Sequence, residues 1–125
     1  MISEEGSGWR LAWDPSRKKF PVLVGGQGWA FELTDSEWRT FVHLVLDLIN
    51  EYQQLKSQLM GEESICLEME RDFWWGSLEG DQSNWALQVI LQNPEPNLRG
   101  IEGFWPVPIA KEFSTGLRTM WDSYQ

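Results

Sequence analysis

The sequence predicts an α+β domain: a curved antiparallel sheet of about six strands, in the order βββαβββα, with two helices packed on one face. Three observations carry this. Apolar residues alternate with polar ones in short runs bounded by turn residues, as half-buried strands require. Two longer stretches repeat their apolar residues every three to four positions, the helical period. Nine tryptophans among 125 residues, spread from Trp9 to Trp121, supply the large apolar surfaces of an aromatic core.

The elements follow in chain order. Trp9, Leu11 and Trp13 alternate with Arg10, Ala12 and Asp14, and Asp14-Pro15-Ser16 turns the chain. Phe20 to Val24 is a short apolar strand, and Trp29, Phe31 and Leu33 line one face of the next. Gly25-Gly26-Gln27-Gly28 between them is a hairpin connection, since a phosphate loop would need a helix directly after the glycines. Thr34-Asp35-Ser36-Glu37 is a capping box. The helix it opens carries Trp38, Phe41, Val45, Leu48, Tyr52 and Leu55 on one side, and ends near Met60 with Gly61 as its cap.

The second half repeats the order of elements but not the residues. Ile65, Leu67 and Met69 alternate with Cys66, Glu68 and Glu70 in a strand that continues through Phe73-Trp74-Trp75. Glu79-Gly80-Asp81 marks a turn, and Trp85, Leu87, Val89 and Leu91 share one strand face. Asn93-Pro94-Glu95-Pro96-Asn97 breaks the chain before a short strand from Gly100 to Trp105. Pro106 and Pro108 then stand where a helix begins, with Ile109, Phe113, Leu117, Met120, Trp121 and Tyr124 as its inward stripe. Gly116 on that stripe permits close approach to a neighbour.

At this length one core suffices, so residues 1–125 read as a single domain. Cys66 is the only cysteine, which excludes an intrachain disulfide. The first residues are acidic and polar where a secretory leader would be basic and then apolar. Apolar runs fall far short of the ~20 residues that cross a bilayer. The expected location is the cytoplasm. A net charge of −9 repels phosphate backbones and anionic lipid, so nucleic acid is a less favoured partner and no membrane partner is expected. The one basic run, Arg17-Lys18-Lys19, reads as a solvated loop or, in the alternative, as a phosphate contact.

No residue set carries a recognisable chemistry. His43 is the only histidine and points away from its helix's apolar stripe. Glu68, Glu70 and Asp72 form an acidic strand face without the enclosure a metal or a general acid requires, and Cys66 has no base beside it to activate a thiol. The chain therefore reads as non-enzymatic, with no catalytic, cofactor-binding or metal residues and no cofactor. Most tryptophans have a core position by periodicity. Trp74 and Trp75, adjacent in a strand, must point to opposite faces, and Trp105 at a strand end is ambiguous. These three are the candidate interaction residues, with at least one expected to be exposed at a contact surface.

Three stretches, residues 29–34 with Glu37 and Phe41, residues 62–70, and residues 99–105, resemble a small uncharacterised family. It occurs in cyanobacteria and their plastid-bearing relatives and is known as domain of unknown function 1818. The resemblance implies a fold similar to single-stranded-DNA-binding regulators of the Whirly and positive-cofactor-four type. It brings no functional residues with it. Those nucleic-acid binders present basic and aromatic side chains on the open sheet, whereas the outward candidates here, Arg10, Ala30, Glu68, Glu70, Gln88 and Ile90 among them, are neutral to acidic.

The expected function is thus a protein-binding or assembly module acting through the open sheet face, with a homodimer through that face as the simplest outcome. Single-stranded nucleic-acid binding through Arg17, Lys18, Lys19 and a stacking indole is the first alternative. A carrier of a flat hydrophobic ligand, which would need a closed cavity of at least ~300 Å³, is the second.

Overall fold

Among the described residues eight strands, where about six were expected, form two four-stranded antiparallel sheets, and each sheet is a meander of consecutive strands. The computed structural model describes residues 1–92 and 99–125, so the proline-rich break predicted at residues 93–97 lies outside the described residues. The first sheet contains β1 (Ile2–Gly6), β2 (Trp9–Trp13), β3 (Val22–Gly26) and β4 (Trp29–Leu33). Helix α1 (Asp35–Leu55) follows. The second sheet contains β5 (Ile65–Arg71), β6 (Trp74–Gly80), β7 (Trp85–Leu91) and β8 (Ile101–Trp105), and α2 (Ile109–Tyr124) comes after it.

Both added strands have a physical reason for escaping the sequence pattern. β1 has one apolar residue, Ile2, among polar neighbours, and it is held as an edge strand by pairing with β2 across a Ser7-Gly8 turn. Gly8 supplies the left-handed backbone there, at φ +83°. The strand expected to run through Trp75 instead folds back at Asp72-Phe73, with Arg71 opposite Trp74. Asp72 takes φ +52°, a conformation that aspartate tolerates better than most residues. A two-residue turn leaves the apolar alternation almost undisturbed, so the pattern read as one strand.

The capping box forms as expected. Thr34 Oγ1 accepts the Glu37 N–H at 3.2 Å, and Glu37 Oε1 accepts the Thr34 N–H at 2.9 Å. The other end differs from the expectation. α1 stops at Leu55 and tightens into a 3₁₀ turn, Lys56–Gln58, before reaching Gly61. The reason is burial: Tyr52 is the last buried residue of the stripe, while Leu55 and Leu59 are half-exposed. Tyr52 also fixes this end by donating its hydroxyl to the Asp81 carbonyl at 2.6 Å, and burial holds its phenol above the usual range. Asp81 in turn organises the β6–β7 turn by accepting the Ser83 and Asn84 N–H groups at 2.9 and 3.0 Å. These bonds, Ser83's first, lower its carboxyl pKa.

The helices do not share one face of one sheet, as the sequence suggested. α1 packs on β5 and β6, and α2 packs on β1 and β2 while also reaching β7 and β8. Glycines set both approaches. A Cβ at Gly76 would lie 2.9 Å from a Leu44 methyl, and a Cβ at Gly116 would lie 2.4 Å from the Trp9 ring. Buried residues of both sheets and both helices form one contiguous apolar cluster. Trp105 sits at its seam. Its ring stacks on Phe113 at 3.9 Å between centroids, and its N–H reaches the Gly25 carbonyl in the first sheet at 3.1 Å.

Candidate interaction surface

Side-chain parity divides the second sheet into two unlike faces. On the inner face Trp74, Leu78, Trp85, Leu87 and Trp105 are all buried under the helices and the first sheet. The outer face has no helix over it. Register aligns its residues in rows: Glu70, Trp75, Ile90 and Glu102 lie side by side across the four strands. The next row is Glu68, Ser77, Gln88 and Phe104. A third row joins Cys66, Glu79 and Ala86.

This face combines apolar and acidic groups. Trp75 and Ile90 are half-buried neighbours, and Phe104 is 49% exposed, as is Val107 (48%) just beyond β8. Ser77, Ala86, Gln88, Phe104 and Val107 help line a shallow depression of about 380 Å³. Glu68, Glu70, Glu79 and Glu102 surround the apolar residues, and none of the three rows contains a lysine or arginine. Gln88 donates to Glu102 at 3.1 Å, and none of the four carboxylates has an ion pair among the described residues.

The three tryptophans singled out by sequence separate clearly. Trp75 alone reaches the outer face. Trp74 is 2% exposed and donates its N–H to the Glu37 carbonyl at 3.1 Å. Trp105 is fully buried at the seam between the sheets. Neither ring is available as a contact residue, because β6 and β8 both turn that parity inward. Phe104, Val107, Ser77, Glu79 and Glu102 were missed as members of this surface. The signal for Phe104 lay in Glu102, a charged residue of the same parity in a strand whose other parity holds Ile101, Gly103 and Trp105.

The basic run lies elsewhere, between β2 and β3. Arg17 is ion-paired with Glu32. Lys19 stands 5.4 Å from the Phe20 ring, whose face is also met by the Arg99 guanidinium at 4.6 Å. Arg99 itself pairs with Glu37, the capping residue of α1. His43 is exposed on α1, with its ring 5.5 Å from that of Trp121. Among the described residues no group of three or more His, Cys, Asp or Glu is placed to hold a metal ion, and no helix is long and apolar enough to cross a membrane. Two further depressions open to solvent, one of about 280 Å³ beside Thr40, Phe73 and Trp74, and one of about 500 Å³ between β1 and α2.

A crystal structure described as a protein with unknown function from the DUF155 family, from Prochlorococcus sp. NATL2A, is similar over 98% of this chain and 100% of its own. The two sequences are 44% identical and the TM-score is 0.93. No curated protein matches the chain. The family model for the domain of unknown function DUF1818 matches residues 4–120, and the chain belongs to that family.

Proposed function

We propose that the chain is a non-enzymatic protein-binding module whose contact surface is the outer face of the second sheet. One observation carries this reading. The helix-free face presents Trp75, Ile90 and Phe104 within a border of carboxylates, an arrangement of apolar centre and charged rim that suits protein recognition. Its charge selects the partner. A surface with four glutamates and no cation in its rows is complementary to a basic protein surface. It opposes the homodimer expected from its alanine, isoleucine and glutamine, because two copies face to face would set carboxylates against carboxylates.

The nucleic-acid alternative draws its motive from the fold likeness that the family resemblance implies, and the charges weigh against it. Arg17 and Arg99 are already paired with Glu32 and Glu37, and the run sits apart from the aromatic face. The carrier alternative is weaker still. The depressions are open, and Trp105 stacked on Phe113 occupies the space between the sheets.

The test is comparative capture from native lysate, using the chain, a Trp75→Ala/Phe104→Ala variant and a Lys18→Ala/Lys19→Ala variant, each checked for native circular dichroism. The expected result is a protein partner that the lysine variant retains and the face variant loses. Recovery indifferent to the face variant would overturn the reading. Recovery of nucleic acid that depends on the lysines would promote the alternative.

A further inference from the structure

The second sheet also has an open edge. β5 hydrogen-bonds to β6 on one side and, among the described residues, has no strand on the other. Which of its groups face outward follows from one bond. Gln92 donates its N–H to the Phe73 carbonyl at 2.8 Å, continuing the register that pairs Trp74 with Leu91. Residues 73, 75, 77 and 79 therefore bond toward β7, and Trp74, Gly76, Leu78 and Gly80 bond toward β5. Their partners are Arg71, Met69, Leu67 and Ile65. The alternate residues, Cys66, Glu68 and Glu70, direct their N–H and C=O groups to the open side.

Side chains beside this edge fit a particular occupant. Glu68 and Glu70 are exposed on its outer face. On its inner face Ile65, Leu67 and Met69 are only half-buried, so an added strand would cover them. Asp47 and, one turn further along α1, Glu51 are both exposed on the helix that packs over β5. Arg71, at the end of the edge, is engaged by Asp47 at 3.2 Å and by the Glu70 carbonyl at 2.7 Å. Arg71 thus occupies one outward carbonyl and marks where the open stretch ends.

We propose that β5 is a recognition edge that takes an extended segment of a partner protein as a fifth strand. The segment carries lysine or arginine at alternate positions, with apolar side chains between them. The inference rests on the protein-binding reading above and names the mode and chemistry of the partner. Backbone pairing at Cys66, at Glu68 and at the Glu70 N–H would hold the segment, its cations would meet Glu68 and Glu70, and its apolar side chains would extend the inner face. A second copy is a poor occupant. The two-fold pairing with longest overlap, centred on Glu68, puts Glu68 against itself between two chains of net charge −9.

Amide hydrogen exchange of the full chain tests this, with the synthetic peptide Lys-Val-Lys-Val-Lys-Val-Lys as probe. The same peptide N-methylated at every peptide nitrogen, which keeps the charge and removes the backbone donors in either strand direction, is the control. The expected result is exchange slowed by about tenfold or more at Cys66, Glu68 and Glu70 with the first peptide only. Ile65, Leu67 and Met69, already bonded to β6, should not change, and a Glu68→Lys/Glu70→Lys variant should lose the effect. Equal slowing with the N-methylated peptide, or binding that leaves the three amides fast, would overturn the proposal. Protection at these amides without peptide, growing with chain concentration, would assign the edge to a second copy and overturn it too. If the edge fails while capture still depends on Trp75 and Phe104, the face reading stands. Capture indifferent to the face variant and to the Glu68→Lys/Glu70→Lys variant removes both.

Discussion

A single hydrogen atom on a glycine decides how closely α2 can lie on the first sheet. The Trp9 ring occupies the position a Gly116 side chain would need, and Trp9 meets Phe113 edge-on at 6.3 Å. Gly116→Ala is therefore expected to lower stability by ~1–3 kcal/mol through overpacking, despite alanine's better helix propensity. Gly61→Ala, at a site with no atom within 4 Å, is the matched control and should change little. Urea denaturation midpoints measure both, and an undiminished Gly116→Ala midpoint would mean the indole swings clear. That role for Gly116 was legible, since a glycine on an apolar helical stripe has few other uses. The exposure of Phe104 in place of Trp105 was not. Phe104 and Trp105 are adjacent aromatics, Gly103 before them adds no side chain to mark the inward parity, and Glu102 alone in the strand carries the signal.

At the scale of elements, signals confined to a few neighbouring residues were readable and those that depended on a partner were not. The α1 cap is local and formed as written. Thr34→Ala should cost ~1 kcal/mol by removing the acceptor for the Glu37 N–H. Glu37→Ala should cost more, because that carboxylate accepts the Thr34 N–H and also pairs with Arg99 from beyond the second sheet's third strand. Glu37→Gln, which keeps an oxygen acceptor but no charge, should fall between them. Thermal unfolding of the three variants gives the order, and a Glu37→Ala effect no larger than that of Thr34→Ala would show the ion pair to be idle. β1 escaped because its pairing with β2, not its own composition, makes it a strand. The β5–β6 turn escaped because Asp72 adopts its left-handed backbone without a glycine to announce it.

For the molecule as a whole, charge is the quantity with the most direct consequence. With a net charge of −9, and with Arg17 and Arg99 neutralised by glutamates, counterion release offers little drive toward a phosphate backbone. Fluorescence anisotropy with labelled single-stranded DNA at physiological salt should detect no binding at ~1 μM. Micromolar or tighter affinity that weakens steeply with salt would contradict this and point to Lys18 and Lys19. Composition foretold an aromatic core. It could not foretell that the core joins two sheets, because the bond from Trp105 to Gly25 spans eighty positions of sequence.

The placement of α2 has a consequence for how the protein is made. The inner surface of the first sheet, with Trp9, Leu11 and Trp13, is complete once β4 leaves the ribosome, yet the helix that covers it begins at Ile109. At roughly 5–20 residues per second, synthesis leaves that surface bare for several seconds. The nascent chain is then a sticky half-structure, and the interval, more than the final stability, is when it is most open to aggregation and to capture by chaperones.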